Sequence, residues 1–388
     1  MRAPAARGYA KPRVGTARTA IRAYNPEMVT HHPQPTPALA RLRAAVTAPP
    51  AMSVRVLRHR GSCGDAAGAD VIVLDVSAPV LDVACDGACW AAPAATVVRA
   101  GHRHRFARLD RGVLDELAAC VQGECDEPQA GTGVAGLTAR LGRNDGTLAD
   151  VLSQGGYAAY ALAAPLAPAR IVEVARVAGR DILPAAALLV NACDASGVVV
   201  ARHFLEGDPH RIVEGILIAA RATGVRAVGV SIDEHSDGAR DAFDRALADA
   251  RDAGILDGSA LGGDAITIDV QGDVRAGDED GERVDVETLC ALTTIFDTPP
   301  PPTRLVSLSG DLARGGLYEV PVDGNTTWAG VLATAGVMPA RVQALLLGGV
   351  SRPLVLPRDF DAALDAQMLG AGGVQVLGPD ADLDGLGR

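Results

Sequence analysis

An α/β fold made of three successive units is what this sequence predicts, on three observations. Strand-like apolar runs alternate with amphipathic helical stretches through the middle of the chain, the pattern of a parallel sheet with crossover helices. Breaker clusters, above all the run Pro299 to Pro302, divide the chain into separate stretches. The length, 388 residues, exceeds what one core commonly holds, since compact domains run about 100–200 residues.

Each element follows in order. Residues 52–127 read as a small α/β domain, with strands at Val54–Leu57, Val71–Val76 and Ala95–Val98 and a helix from Asp110 to Val121 that Asp110 caps. The string His102-Arg-His-Arg105 is either a basic docking turn or a surface hairpin. Residues 128–146 are rich in Gly and Thr, lack an apolar period and read as a linker. In residues 147–298, Leu188–Val190 is a strand, and a helix then starts at Asp208 as N-cap with Pro209 at N1 and stops at Gly224. Ala227–Ile232 is the next strand, Ala239–Ala253 a helix closed by Gly254, and Ala265–Val270 a further strand. Two such crossovers make half of a doubly wound sheet, a frequent nucleotide scaffold that does not by itself establish a nucleotide. In residues 303–378, strands at Leu305–Leu308 and Leu317–Val320, a helix over Thr327–Thr334 and a strand at Ala344–Leu347 give the order of a β-grasp unit. The Asp- and Gly-rich residues 379–388 form a tail.

Charge and composition exclude several classes. A net charge of −11 and a pI near 5.2 argue against nucleic acid as a partner, because the phosphate backbone demands a basic face. No apolar run approaches the roughly 20 residues that span a bilayer, so direct membrane insertion is not expected. Lys11 is the only lysine, so the predicted folded units have no ammonium to offer a phosphate. Residues 1–51 carry eight Arg or Lys against the single acid Glu27 and are broken by prolines. They read as a disordered leader of the transit-peptide kind or as an extension upstream of a true start at Met52, and both alternatives stand. No secretory signal is visible, so a cytoplasmic protein is expected, and its seven cysteines read as thiols or metal ligands rather than disulfides.

Three strings point further. Asp208-Pro-His-Arg-Ile-Val-Glu-Gly-Ile-Leu-Ile-Ala-Ala220 is close to a Pro-His-x-x-x-Glu-Gly helix, Gly254-Ile-Leu256 follows the next helix, and Val286-Glu-Thr-Leu289 matches the end of Asn-Asn-Val-Glu-Thr. With the order of units, they give a chain that resembles the NADH-binding flavoprotein subunit of respiratory complex I and its relatives in NAD-linked hydrogenases and formate dehydrogenases. The resemblance covers most of Ser53 to Gly378. It implies a thioredoxin-like domain at 52–127, a Rossmann-like FMN-binding-type domain at 147–298, and a soluble-ligand-binding β-grasp domain at 303–378. It also implies FMN reduced by NADH in the middle domain, a [2Fe-2S] cluster in the first, and oxidoreductase partner subunits.

Site by site, the sequence departs from that pattern. The family's flavin-phosphate loop, Gly-Arg-Gly-Gly-x-Gly-Phe-Pro, lets backbone N–H groups approach a phosphate because no side chains intervene. Here Gly179, Arg180 and Pro184 match, while Asp181, Ile182 and Leu183 bring a repelling charge and bulk. The family's Asn-x-Asp-Glu-x-Glu becomes Asn191-Ala-Cys193-Asp194-Ala-Ser196, which keeps Asn191 and a shortened acid, Asp194, but replaces the last carboxylate with Ser196. Cys-Gly-Glu-Glu becomes Ala276-Gly277-Asp278-Glu279, and the paired asparagines become Val284-Asp285. The residues that would still contact a flavin are therefore Gly179, Arg180, Asn191, Asp194, Gly277, Asp278, Glu279 and Asp285. With five Phe, five Tyr and two Trp in the chain, few rings are available to stack on an isoalloxazine. The family's Ser-Cys-x-x-Cys-x-x-Cys region for a [4Fe-4S] cluster has no counterpart after Cys290.

Cys63, Cys85 and Cys89 match three of the four thiolates of the [2Fe-2S] site; the remaining one falls near Arg58, so a cluster is not expected. Cys120 and Cys125 are either a metal pair or idle thiols. His210 reads as a packing or capping residue rather than a base, and the run Asp278-Glu279-Asp280 with Glu282 as a solvated acidic loop. The reading is of a degenerate homologue that holds no cofactor and serves as an accessory subunit docked to an oxidoreductase partner. The alternatives are a subunit that retains FMN and passes electrons from NADH to a partner iron-sulfur protein, and a small-ligand module in the β-grasp domain.

Overall fold

The computed structural model describes residues 35–46, 54–100, 102–125, 136–180, 182, 187–194, 198–272, 282–297, 303–348, 354–364 and 372–383. Its described residues form a mixed α/β protein with three sheets. The first part contains α1 (Pro37–Ala45), β1 (Val54–His59), α2 (Ser62–Ala66), β2 (Val80–Val83), β3 (Ala94–Arg99), β4 (His102–Ala107) and α3 (Arg111–Gln122). Its sheet runs β2-β1-β3-β4, with β1 and β2 parallel and the other pairs antiparallel. The basic string His102 to Arg105 lies in β4, paired with β3 as a hairpin.

Two expectations for this part are corrected. Residues 37–45 of the expected leader form a helix: Thr36 accepts from Leu39 N at its N-terminus, Pro37 sits at its start, and Leu39 and Leu42 are buried in the central core. Val71–Val76 is not a strand. Its period of two survives, with Ile72, Leu74 and Val76 packed inward and Val71 and Val73 exposed, but the parallel neighbour of β1 is β2. Alternation fixes which side faces the core, not whether a ladder forms.

The middle part contains α4 (Leu148–Ser153), α5 (Ala158–Ala163), α6 (Pro168–Val177), β5 (Leu188–Ala192), α7 (Val200–Gly207), α8 (Pro209–Thr223), β6 (Ala227–Ile232), α9 (Asp237–Asp252), β7 (Thr267–Gln271), β8 (Glu282–Asp285) and α10 (Val286–Leu292). All four strands are parallel, in the order β7-β6-β5-β8. The chain leaves β5 toward β6 and β7 and returns to place β8 on the other side of β5, so the direction of winding reverses between β5 and β8. Short helices α4 to α6, α7 and strand β8 lack a long apolar period and are not legible in the sequence.

Helix α8 is the hub of the core. Its polar residues are buried and partnered: Arg140 Nε donates to Asp208 at 2.8 Å, and the Glu214 carboxylate accepts from the backbone N–H groups of Tyr157, Ala159 and Tyr160 at 2.9–3.2 Å. Glu214 thereby caps α5, satisfying donors no helical bond can take. Burial still pushes its carboxyl upward. His210 Nδ1 meets the Tyr157 hydroxyl at 2.8 Å, and Arg211 donates to Leu137 O and to Thr293 Oγ1. Asp208 is not a side-chain N-cap, because its carboxylate is held by Arg140 instead. At Gly215 an added Cβ would lie 2.4 Å from Leu289 O, so α10 packs directly on the α8 backbone. Residues 136–146, expected as a linker, supply Leu137, Arg140, Leu141 and Asn144 to the buried interior.

The last part contains β9 (Thr303–Gly310), β10 (Gly316–Pro321), α11 (Trp328–Thr334), β11 (Ala344–Leu347), β12 (Leu354–Val355) and β13 (Gly373–Leu377). Its sheet runs β10-β9-β13-β11-β12, with β9 and β13 parallel at the centre and Trp328 fully buried beneath. Glu319 of β10 accepts from Leu137 N and Thr138 N at 3.0 and 3.1 Å and ties this sheet to the rest. No helix among the described residues is long and apolar enough to cross a membrane.

The seven cysteines do not all stay as thiols. Cys120 and Cys125 are disulfide-bonded, correcting the expectation of a metal pair or idle thiols. The cause is the end of α3, where Gly123 adopts the left-handed conformation and returns the chain so that the two Cα atoms stand 4.3 Å apart.

Candidate functional site

Ligands of open α/β sheets bind beyond the carboxyl ends of the strands, where the winding reverses. That position is the end of β5 and β8, and the register puts Asn191 beside Ser231 on one side and beside Asp285 on the other. Three predicted site residues thus meet one edge: Asn191 and Asp194 at and just past the end of β5, and Asp285 at the end of β8.

Their polar atoms are engaged locally. Asn191 Oδ1 accepts from Cys193 N at 3.2 Å. The Asp194 carboxylate accepts from Ala201 N at 2.8 Å and Arg202 N at 2.9 Å, holding the first turn of α7, while burial raises its pKa. Asp285 accepts from Thr288 N at 2.6 Å as the N-cap of α10. Gly179 has φ +74 with open space where a Cβ would stand. Arg180 turns inward: its Nη2 donates to Thr303 O at 3.0 Å, and burial lowers its pKa. Ile182 is buried, at 3% exposure, in the central core.

Against a flavin phosphate, this donor set does not fit. Arg180 binds a backbone carbonyl, Ile182 faces the core, and the carboxylates of Asp194 and Asp285 already accept amides that an incoming anion would need. Gly277, Asp278 and Glu279 lie outside the described residues, as do Asp181, Leu183, Pro184 and Ser196. Val284 is buried within β8.

The predicted metal residues do come together. Cys63 sits in α2, and Cys85 and Cys89 flank the turn after β2; the Cys63 and Cys89 sulfurs are 3.5 Å apart. Cys85 interacts with both thiols, and hydrogen bonds from Cys85 and Cys89 favour the Cys63 thiolate, whose charge in turn pushes Cys85 and Cys89 upward. Arg58, near which the remaining ligand is expected, is paired with Asp82 at 2.7 Å. His203 of α7 lies beside the thiols instead, buried at 3% exposure, with Nε2 3.3 Å from Cys89 Sγ. Sequence reasoning missed His203 because it lies 114 residues from Cys89 on a helix with no motif. The same helix docks to α2 through Glu206, which accepts from Ser62 N at 3.0 Å and from the Ser62 hydroxyl.

These features define a mixed α/β protein with a winding reversal in its parallel sheet and a thiol–imidazole cluster at the junction with the first sheet. Comparison with known proteins places it further. The chain is 27% identical over 234 residues to the F 2 subunit of NADH-quinone oxidoreductase from Rhizobium meliloti (strain 1021), a match covering 47% of this chain and 55% of that protein. The match therefore spans about half the length of the relative. Its fold is similar to a chain of the NAD+-reducing [NiFe]-hydrogenase in the H2-reduced state, with a TM-score of 0.50 at 17% identity, covering 89% of this chain and 72% of that one. The air-oxidised state of that hydrogenase superposes with a TM-score of 0.46 at 18% identity. No family model matches the chain. The chain is a relative of the NADH-binding flavoprotein family.

Proposed function

We propose that this protein is an accessory subunit of an NADH-dehydrogenase-type oxidoreductase, docked to partner subunits, and that it does not itself carry the hydride-accepting flavin. The carrying observation is the local engagement of the residues that would hold FMN: Arg180 on Thr303 O, Asp194 on two α7 amides, and Asp285 on α10. A side chain that caps its own helix loses that bond if it turns to a ligand, so each contact to a flavin would first cost about 1 kcal/mol.

In this reading the order of units is a thioredoxin-like domain, a Rossmann-like domain and a soluble-ligand-binding β-grasp domain, and the protein is cytoplasmic. The relative's name as an NADH-quinone oxidoreductase component supports the assembly in which the partners are sought. A second reading, that FMN is retained, is favoured by the alignment of Asn191, Ser231 and Asp285 at the reversal point. One experiment separates them. The protein purified from its own cells is denatured, and flavin in the supernatant is quantified by absorbance and fluorescence. The accessory reading expects flavin far below one per chain, together with co-purifying oxidoreductase subunits. Flavin at one per chain, bleached by NADH before denaturation, overturns it.

A further inference from the structure

We propose that Cys63, Cys89 and His203 bind a single zinc ion that fastens α7 of the middle part to the first sheet. The donor atoms of Cys63, Cys89 and His203 all lie within 4.8 Å of one another, at 3.5 Å for sulfur to sulfur and 3.3 Å for sulfur to nitrogen. Zinc bonds of ~2.3 Å to sulfur and ~2.0 Å to nitrogen place tetrahedral donors about 3.8 and 3.5 Å apart, so the cluster is already close to that size. The fourth tetrahedral position is left to solvent, because Cys85 stands outside this group of three.

The imidazole is oriented for coordination. His203 Nδ1 lies 2.6 Å from Val199 O, and a carbonyl only accepts, so Nδ1 carries the proton and Nε2 presents its lone pair to the sulfurs. This is the outer contact that fixes a ligating histidine's tautomer. Two thiolates and a neutral imidazole balance the charge of Zn2+. The Arg202 guanidinium, with Nη2 3.8 Å from Cys63 Sγ, favours that sulfur as a thiolate. Metal binding releases the thiol protons to solvent.

A [2Fe-2S] cluster holds its donors in two pairs on separate irons with sulfides between, so donors of different pairs stand well apart. Three donors packed together around one point suit a single ion. The other thiol–imidazole group, His104 with Cys120 and Cys125, offers no such site because its sulfurs are joined to each other.

The test uses the full chain, reduced, dialysed against zinc sulfate and passed over a chelating column. One zinc per chain by mass spectrometry of the metal is expected, and Co2+ in its place gives the intense d–d bands of tetrahedral sulfur coordination. Cys63→Ser and His203→Ala each lower zinc affinity at least about tenfold, the smaller end of what even outer contacts are worth, while Cys120→Ser with Cys125→Ser retains it. Should a variant fail to fold, the wild type decides: zinc shields Cys63 and Cys89 from iodoacetamide, and Cys193 reacts at an unchanged rate. No bound zinc, alkylation unaffected by zinc, or iron with acid-labile sulfide in the isolated protein overturns the proposal.

Discussion

Helix α8 and the carboxyl edge of the parallel sheet carry the strings of the resemblance in opposite ways. On α8 the string Pro209 to Gly215 matches the family pattern, and each polar member has a buried partner inside this chain: Tyr157 for His210, Leu137 and Thr293 for Arg211, three α5 amides for Glu214. At the edge the pattern has drifted, and of the residues that remain the carboxylates of Asp194 and Asp285 cap helices from half-buried and exposed positions. A motif that holds a core is kept in place by packing whatever the protein does. A motif that holds a ligand is free to change once the ligand is gone. The lesson is that a matching string reports descent, and only its partners report whether it serves structure or chemistry.

The contrast is broken most forcefully at Arg140. Asp208 is fully buried, with Arg140 Nε at 2.8 Å and the next cation, Arg211, at 3.9 Å. Arg140→Met leaves a buried carboxylate with little compensation, and a loss of about 3–5 kcal/mol is expected in urea unfolding. A loss below about 1 kcal/mol would show that the α8 network is not what holds the core.

A smaller effect comes from pH. His59 is buried against Thr96 Oγ1 at 2.8 Å, and desolvation, helped by Arg105 and Arg103, lowers its pKa to about 3. Because the folded value lies below the unfolded one near 6.5, the contribution is complete above pH 6.5 and is lost as pH falls toward 3. The slope is about 1.4 kcal/mol per pH unit, so about 2 kcal/mol should vanish between about pH 6.5 and 5. His59→Gln should remove that part of the slope; equal slopes in both proteins would refute the burial argument.

The smallest effect is expected at the edge itself. Asn191→Ala removes one exposed side-chain bond to Cys193 N and should change stability by less than about 0.5 kcal/mol. If it costs as much as a core substitution, the distinction between edge and core fails here.

Long periodic elements were legible. The helices ending at Gly224 and Gly254, strands β5, β6 and β7, the Asp110-capped α3 and helix α11 follow from apolar period and cap residues. Short elements were not, because α4 to α6 and β8 are stabilised by what they pack against rather than by their own pattern. The Asp208 cap failed for a related reason: a carboxylate beside a buried guanidinium gains more from the ion pair than from a backbone amide. The disulfide was missed because a spacing of five says nothing of how the chain turns at Gly123.

The sequence by itself determined the α/β class, the relationship carried by the α8 string, and the three thiols of the first part. Those rest on local period and on strings of adjacent residues, which survive without knowing any contact. Only the tertiary structure decided that Arg180, Asp194 and Asp285 are engaged within the fold and that His203 lies beside the thiols. Both depend on which atoms come within hydrogen-bond reach across long stretches of chain, a distance that spacing along the sequence does not encode.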